Sequence, residues 1–388
     1  MSLRTVARGL VYLLLFLLTL EGLARLDDWL REGASPLRNH DIEAIFHTEP
    51  GRKVGIPGAH FGKWHMNSLG YRGPEPQPGR INVITYGASE TFGVYESPEQ
   101  EYPRQLERLL NEGAARAHNV VNIAVPGLRI GRMAYLDQAM RQLQPAYVVV
   151  YATPAAYIGV DKPFCQPDEA KASPSQATPA TSDAASQPWR WRLAGKLDLV
   201  FKKTAPAWLM TRMKEAGIWY ASRKLTVQPR VDDAAVQALR TDLQCVIDHV
   251  RAQGARPVLV THATLFGQAV TPETHAMLVA WRRFYPDLAE AGFLDLERRA
   301  NQATRELAAR QADVLLVDGD QAVSPGAAHF ADFVHFTDLG AREMAAAIAT
   351  VLRRDEAARG VASRTLKDTT PATPAMSPAT PAMEPAQP

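Results

Sequence analysis

The sequence predicts an α/β fold, a five-stranded parallel sheet covered on both faces by helices. Three observations point there. Five short apolar runs rich in β-branched residues recur along the chain, each bounded by Gly, Pro or polar residues. Stretches with apolar residues at helical spacing stand between them. The runs are apolar throughout instead of alternating, as strands buried on both faces are. With 388 residues and 46% hydrophobic content, the chain has ample material for such a core.

The N-terminus comes first. Arg4 and Arg8 precede an uncharged apolar run of twelve residues, Gly9 to Leu20, followed by Glu21 and Arg25. A full bilayer span needs about 20 residues, so the run also suits the apolar part of a signal peptide. Arg8 and Arg25 can snorkel and lengthen it. The one cleavage-like site, Gly22-Leu23-Ala24, is poor, so an uncleaved anchor is expected, with a cleaved signal as the second reading. Basic residues ahead of the run stay cytoplasmic and send the rest across the membrane. The Gly- and Pro-rich stretch from 51 to 76 reads as loop with one edge strand.

The alternation starts with Ile81–Tyr86 (INVITY). Ser97-Pro98-Glu99 then reads as a cap leading to a helix with Leu106, Leu109 and Leu110. Asn119–Ala124 is the second strand, closed by Pro126-Gly127. Met133, Leu136, Met140 and Leu143 mark the next helix, and Tyr147–Tyr151 is the third strand. From 161 to 230 the pattern is interrupted. Asp168–Pro188 is a low-complexity linker, and Trp189–Leu225 holds four of the seven tryptophans: Trp189, Trp191, Trp208 and Trp219. Leu193, Leu197, Val200 and Phe201 form a helical stripe there. This insertion reads equally as a helical hairpin with its own small core or as a lid that stacks on sugars or rests on lipid.

Asp232 and Asp233 open a helix with a stripe from Val236 to Val250 and Gly254 after its end. Pro257–Thr261 is the fourth strand. A helical stretch around Leu296–Arg310 precedes the fifth, Val314–Val317, and the final helix begins near Thr337-Asp338. The tail after Arg364 repeats TPATPAM as SPATPAM, a proline density that forbids a coiled coil and predicts disorder. The expected organisation is an anchor over 1–26, a connecting region over 27–80, and one domain over 81–160 and 231–355. An insertion over 161–230 and a disordered tail over 356–388 complete it.

Composition excludes several classes. Net charge is +2, from 43 basic and 41 acidic residues, with no run of like charge, so nucleic acid is not an expected partner. His60 and His65 lack a carboxylate or cysteine at metal-ligand spacing, and no metal or cofactor is expected. The two cysteines, Cys165 and Cys245, either pair in an oxidising compartment or leave Cys245 as an inert thiol on a helix face.

The chemistry gathers in three stretches. Gly87-Ala88-Ser89-Glu90-Thr91 places a hydroxyl where the chain leaves the first strand, the edge at which parallel sheets bind ligands. Asp332-Phe333-Val334-His335 offers a base and an orienting carboxylate within one turn. Gly127, after the second strand at the same edge, lets a backbone N–H approach an oxyanion.

These stretches resemble the SGNH, or GDSL-type, hydrolases from about Asn67 to Val351. Gly87–Gly93 looks like the family's nucleophile block, Asn122–Gly127 like its glycine block and Asp332–His335 like its terminal Asp-x-x-His block. Asn67-Ser68-Leu69-Gly70-Tyr71-Arg72-Gly73 resembles a lead-in of exported bacterial members. The resemblance implies a three-layer, flavodoxin-like α/β/α sandwich. It also implies Ser89 as nucleophile, His335 as base and Asp332 orienting it, with the N–H groups of Ser89 and Gly127 as oxyanion donors. Two departures stand out. Ala88 replaces the Asp usual before the nucleophile, and Ala152-Thr153-Pro154-Ala155-Ala156-Tyr157 replaces the Gly-x-Asn-Asp block whose Asn is the third donor. Losing one such donor costs roughly 10²–10³ in rate; either Thr153 or another polar group such as His262 substitutes, or the enzyme is slow or specialised, and taken singly both residues read first as structural.

The function expected is a serine esterase acting on acyl, foremost O-acetyl, esters of envelope or extracellular polysaccharide. It would be anchored in the bacterial inner membrane with its catalytic domain on the extracytoplasmic side. Two alternatives are an O-acyltransferase using the same site and a catalytically silent glycan-binding or export factor.

Overall fold

The computed structural model describes residues 3–37, 41–49, 52–114, 116–165, 191–267 and 270–368. The linker expected over 168–188 and Trp189 lie outside them. Helix α1 runs from Leu3 to Glu32, well past the apolar run. Its segment Arg4–Arg31 is long and apolar enough to cross a membrane, by length and composition. Two small hairpins stand where one edge strand was expected over 51–76, the first of them beginning ahead of that stretch. β1 (Phe46–Glu49) pairs with β2 (Arg52–Gly55), and β3 (His60–Phe61) with β4 (Trp64–His65).

The lead-in then folds on itself. Asn67 Oδ1 accepts from the N–H groups of Leu69 and Tyr71, at 3.0 Å each, while Gly70 takes φ 78. This delivers Arg72 into the core, where it pairs with Glu101 at 2.8 Å.

β5 (Ile81–Gly87) leads into the single-turn helix α2 (Ser89–Phe92) and then α3 (Tyr102–Asn111). The start expected at Ser97-Pro98 is displaced, because Glu99 adopts φ 61, outside the helical region; Glu101 is the cap and Pro103 sits in the first turn. β6 (His118–Asn122), α4 (Ala134–Leu143) and β7 (Tyr147–Tyr151) follow.

The insertion forms α5 (Arg192–Thr204) and α6 (Ala207–Ser222). Among its described residues no core of its own is formed: Leu197, Val200, Phe201, Trp208 and Trp219 are all exposed. Its support comes from outside. α5 packs on α1 and α6 on a helix of the main domain. Glu21 of α1, buried, accepts from Arg25 Nε at 2.7 Å and from the N–H groups of Arg192 and Leu193 at 3.1 and 2.9 Å, so it caps α5. Arg192 also donates to Asp28 at 3.2 Å.

The alternation resumes with α7 (Asp233–Ala252), β8 (Arg256–Val260), α8 (Pro272–Arg282), α9 (Glu290–Ala309), β9 (Leu315–Val317), α10 (Gly319–Ala322) and α11 (Asp338–Asp368). α8 was not foreseen; it is the helix on which α6 packs. α11 continues to Asp368, thirteen residues beyond the boundary expected at 355.

The sheet order is β6-β5-β7-β8-β9, all parallel. In chain order that is 2-1-3-4-5, the flavodoxin-like arrangement, and its switch point lies between the first and third strands. α3 packs with α11 and α7 with α9, the helix layers of an α/β/α sandwich. Val83, Ile84, Val148, Val149, Val150, Val258 and Leu259 are fully buried, which is why these strands read as unbroken apolar runs. Cys165 and Cys245 form a disulfide that ties the start of the insertion to α7. Beside it, buried Asp242 accepts from Tyr157 Oη at 2.7 Å and the Cys165 N–H at 2.9 Å.

Candidate active site

Ser89 stands at the carboxyl end of β5, at the switch point of the sheet. Gly87 makes the turn possible: a Cβ there would lie 2.2 Å from Thr91 Oγ1 and 2.7 Å from the Tyr151 carbonyl oxygen. α2 lasts one turn and is closed by Gly93, whose φ of 82 suits glycine and whose N–H donates to the Ser89 carbonyl at 2.9 Å. Arg72 holds that closing residue from below, donating to the Gly93 carbonyl at 2.8 Å. The lead-in segment therefore braces the turn that presents Ser89.

His335 comes from the loop ahead of α11. Its Nε2 lies 2.9 Å from Ser89 Oγ, and its Nδ1 lies 2.9 and 2.8 Å from the two carboxylate oxygens of Asp332. Asp332 Oδ1 also accepts from the N–H groups of Val334 and His335 at 3.0 and 2.9 Å, so carboxylate and imidazole are set by one tight turn. All three groups are partly buried. Burial alone would raise the Asp332 carboxyl, but the His335 hydrogen bond and charge, with the two backbone donors, hold it below its ordinary value. Burial would lower the His335 imidazole. The hydrogen bond it donates to Asp332 and the charges of Glu90, Asp332 and Glu96 outweigh it and raise the value. The Tyr95 ring, 55% exposed, lies 5.2 Å from the imidazole between centroids.

Gly127 sits in the turn after β6 with φ 80, where a side chain would meet nothing but the backbone would be strained. Val125 N–H donates to the Gly87 carbonyl at 3.3 Å, tying this turn to that of Ser89. Among the described residues, the N–H groups of Ser89 and Gly127 make no hydrogen bond.

The two residues expected to replace the missing donor are already bonded within the domain. Both turn inward onto Glu90. Thr153 Oγ1 donates to Glu90 Oε1 at 2.9 Å. His262 has both nitrogens engaged, Nδ1 with Glu297 Oε2 at 2.8 Å and Nε2 with Glu90 Oε1 at 3.4 Å. Its backbone N–H is held by Asn301 Oδ1 at 2.7 Å, and its ring lies 5.2 Å from that of Tyr151. Neither side chain is available to an oxyanion. Sequence reasoning missed Glu90 altogether, although it directly follows the candidate nucleophile. It is 1% exposed, and its Oε2 lies 3.2 Å from Ser89 Oγ. Burial would raise Glu90, yet His262 and the charge of His335 hold it down to about 2. Burial would lower His262, yet Glu297 and Glu90 carry it up to about 10.

Among the described residues no His, Cys, Asp or Glu cluster could hold a metal ion. A hydroxyl in line with an imidazole and a carboxylate, beside two unspent N–H groups, is an arrangement suited to acyl transfer.

No protein-family model and no curated protein matches the chain. Among solved structures it is similar to a putative lipolytic protein of G-D-S-L family from Desulfitobacterium hafniense DCB-2, with 9% identity, 70% of this chain and 99% of that one covered, and a TM-score of 0.39. It is also similar to the lipase/acylhydrolase from Enterococcus faecalis, with 12% identity, 70% and 94% coverage and a TM-score of 0.37. A third is a mutant of an acetyl-xylooligosaccharide esterase from Geobacillus Stearmophilus, with 14% identity, 70% and 93% coverage and a TM-score of 0.35. Likenesses this distant bear no weight for activity, which rests on the geometry.

Proposed function

We propose that this chain is a serine esterase hydrolysing acyl esters, foremost O-acetyl groups on envelope or extracellular polysaccharide. The observation that carries the reading is the unbroken line from Asp332 through His335 to Ser89. Ser89 Oγ bonds the acyl carbon while its proton passes to His335 Nε2, and the carbonyl electrons move onto the oxygen. The N–H groups of Ser89 and Gly127 receive that oxyanion. When it collapses, the ester C–O bond breaks and the leaving alcohol takes the proton from His335. Water then repeats the sequence on the acyl-enzyme and releases the acid. Asp332 keeps the Nδ1 proton in place and balances the imidazolium throughout.

A carbohydrate substrate is favoured by the rim. Exposed Tyr95 flanks His335, and exposed Phe284 meets Phe333, inside the Asp332–His335 turn, with ring centroids 6.0 Å apart. Aromatic faces at a mouth suit the apolar faces of sugars. An extracytoplasmic site at the inner membrane is favoured by α1 and by the disulfide. The anchor reading is favoured over a cleaved signal because cutting at Gly22-Leu23-Ala24 would part Glu21, the cap of α5, from the rest.

The test is labelling of the full chain with a serine-directed fluorophosphonate, beside acetate release from O-acetylated xylan. An adduct on Ser89 that is absent in Ser89→Ala is expected, with acetate release lost in parallel. No Ser89-dependent adduct sinks the enzyme reading. An adduct with acetyl groups passed to an added sugar acceptor, and free acetate falling as that acceptor is added, would establish a transferase instead.

A further inference from the structure

Glu90, His262 and Glu297 form a line of ionisable side chains inside the domain, with Glu90 and His262 only 1% and 2% exposed. No Arg or Lys is bonded to any of the three among the described residues. Burying such a set is costly, and apolar residues of similar volume would commonly serve stability as well or better. Its placement offers the explanation. The line ends at the candidate nucleophile, where Glu90 Oε2 is the second acceptor within reach of the Ser89 hydroxyl, beside His335 Nε2. Thr153 and His262 both grip the other carboxylate oxygen, Oε1, so the carboxylate cannot rotate away from Ser89.

We propose that Glu90, clamped by Thr153 and His262, is a positioning residue for the reaction proposed above: it holds the Ser89 side chain and steadies the positive charge that His335 acquires. The inference rests on that esterase reading. The Ser89 hydroxyl has one proton and two acceptors within reach, so whichever of them it bonds, its oxygen stays beside both. When Oγ bonds the acyl carbon, the proton goes to His335 Nε2, and the nearby anion favours the imidazolium so formed. Glu90 exchanges no proton in this scheme. It stays a carboxylate while His262 stays charged behind it, and its low value fits that role.

The charged and titratable groups facing His335 are Asp332 on its own loop, Glu90 on α2, and Tyr95 and Glu96 on the loop after α2. Burial lifts Glu96 to about 7, so it also changes charge in the working range. A comparison of variants that all keep Glu96 isolates the contribution of Glu90.

The experiment measures the rate of fluorophosphonate adduct formation on Ser89 in the full chain across pH, from about pH 5 to about pH 9. Glu90→Gln keeps the shape and removes the charge. Its acid limb is expected at lower pH than that of the native chain, and its plateau rate about 10- to 100-fold lower. A purely structural Glu90 would leave the limb in place. If the native chain forms no Ser89 adduct, the esterase reading itself has failed. If the native chain labels and folded Glu90→Gln keeps both its limb and its plateau, the positioning role is overturned. Should Glu90→Gln not fold by thermal melting, Thr153→Val decides. It loosens the clamp and keeps the charge, so labelling slows roughly 5-fold; a native rate would overturn the proposal.

Discussion

Asp332→Asn is the most informative single change, because the structure dictates how the new side chain must sit. Oδ1 of Asp332 accepts two backbone N–H groups, from Val334 and His335. An amide NH₂ placed there would set donors against donors, so the Asn oxygen keeps that position. The NH₂ then takes the place of Oδ2, 2.8 Å from His335 Nδ1, and donates to it. Nδ1 becomes an acceptor, the ring proton moves to Nε2, and Nε2–H points at Ser89 Oγ across 2.9 Å. The base can no longer take the Ser89 proton. In a Ser-His-Asp arrangement the wrong tautomer costs about 10⁴-fold in kcat, or about 5.5 kcal/mol at 25 °C. The fold should survive, since the turn keeps its backbone bonds and loses one charge-assisted bond, on the order of 2 kcal/mol. Turnover of a small chromogenic acetate ester near pH 8, beside thermal melting, reads both quantities. A folded variant within tenfold of native turnover would refute the role given to Asp332.

The remaining predictions concern the frame around the site. Gly87→Ala forces a methyl group onto Thr91 Oγ1 and the Tyr151 carbonyl, which should cost about 1–3 kcal/mol in melting and tenfold or more in Ser89 labelling. Esterase activity should fall as pH drops through the raised value of His335, because only the neutral imidazole accepts a proton; an acid limb below the ordinary imidazole range would contradict this. His262 lies above its ordinary 6.5, so its share of stability is complete below that pH and is lost as pH rises toward about 10. Glu90 lies below its ordinary 4.5, so its share is complete above that and is lost as pH falls toward about 2. Melting temperature should therefore decline on both sides, and an unchanged value between pH 7 and 10 would count against the buried charge pair. Replacing Cys165 and Cys245 together by Ser removes a crosslink spanning 80 residues and should cost about 2–5 kcal/mol, read by denaturant melts of the oxidised native chain and the variant.

What could be read from the chain follows the range of the interactions. β5, β7 and β8 announce themselves because strands buried on both faces favour apolar and β-branched residues at most positions. Asp332 and His335 are three residues apart in one turn, so spacing alone suggested their contact. The small hairpins at 46–65 have strands of two to four residues, too short for alternation to register. α8 buries Leu278, Val279 and Trp281 but carries no repeated stripe at helical spacing. The cluster behind Ser89 was illegible for another reason. His262 meets Glu90 from 172 residues away, and Thr153 meets it from 63, separations that only the closed sheet brings together. The insertion misled in the opposite way. A stripe through Leu197, Val200 and Phe201 suggests a private core, yet those side chains are exposed, and the support comes instead from the polar ends of α1 and α5.

That junction has a mechanical consequence. From α1 the path runs through the Glu21 cap to α5, on to α6, across to α8, and from Trp281 by ring stacking at 5.0 Å to Phe333, the residue after Asp332. The α1–α5 and α6–α8 contacts, joined by the chain between α5 and α6, thus link the apolar helix to the turn that holds His335. Were α1 seated in a membrane, these contacts would bear on the height of the mouth above its surface. If the esterase proposed above is anchored by that helix, a polymer would have to be drawn to the mouth at that height.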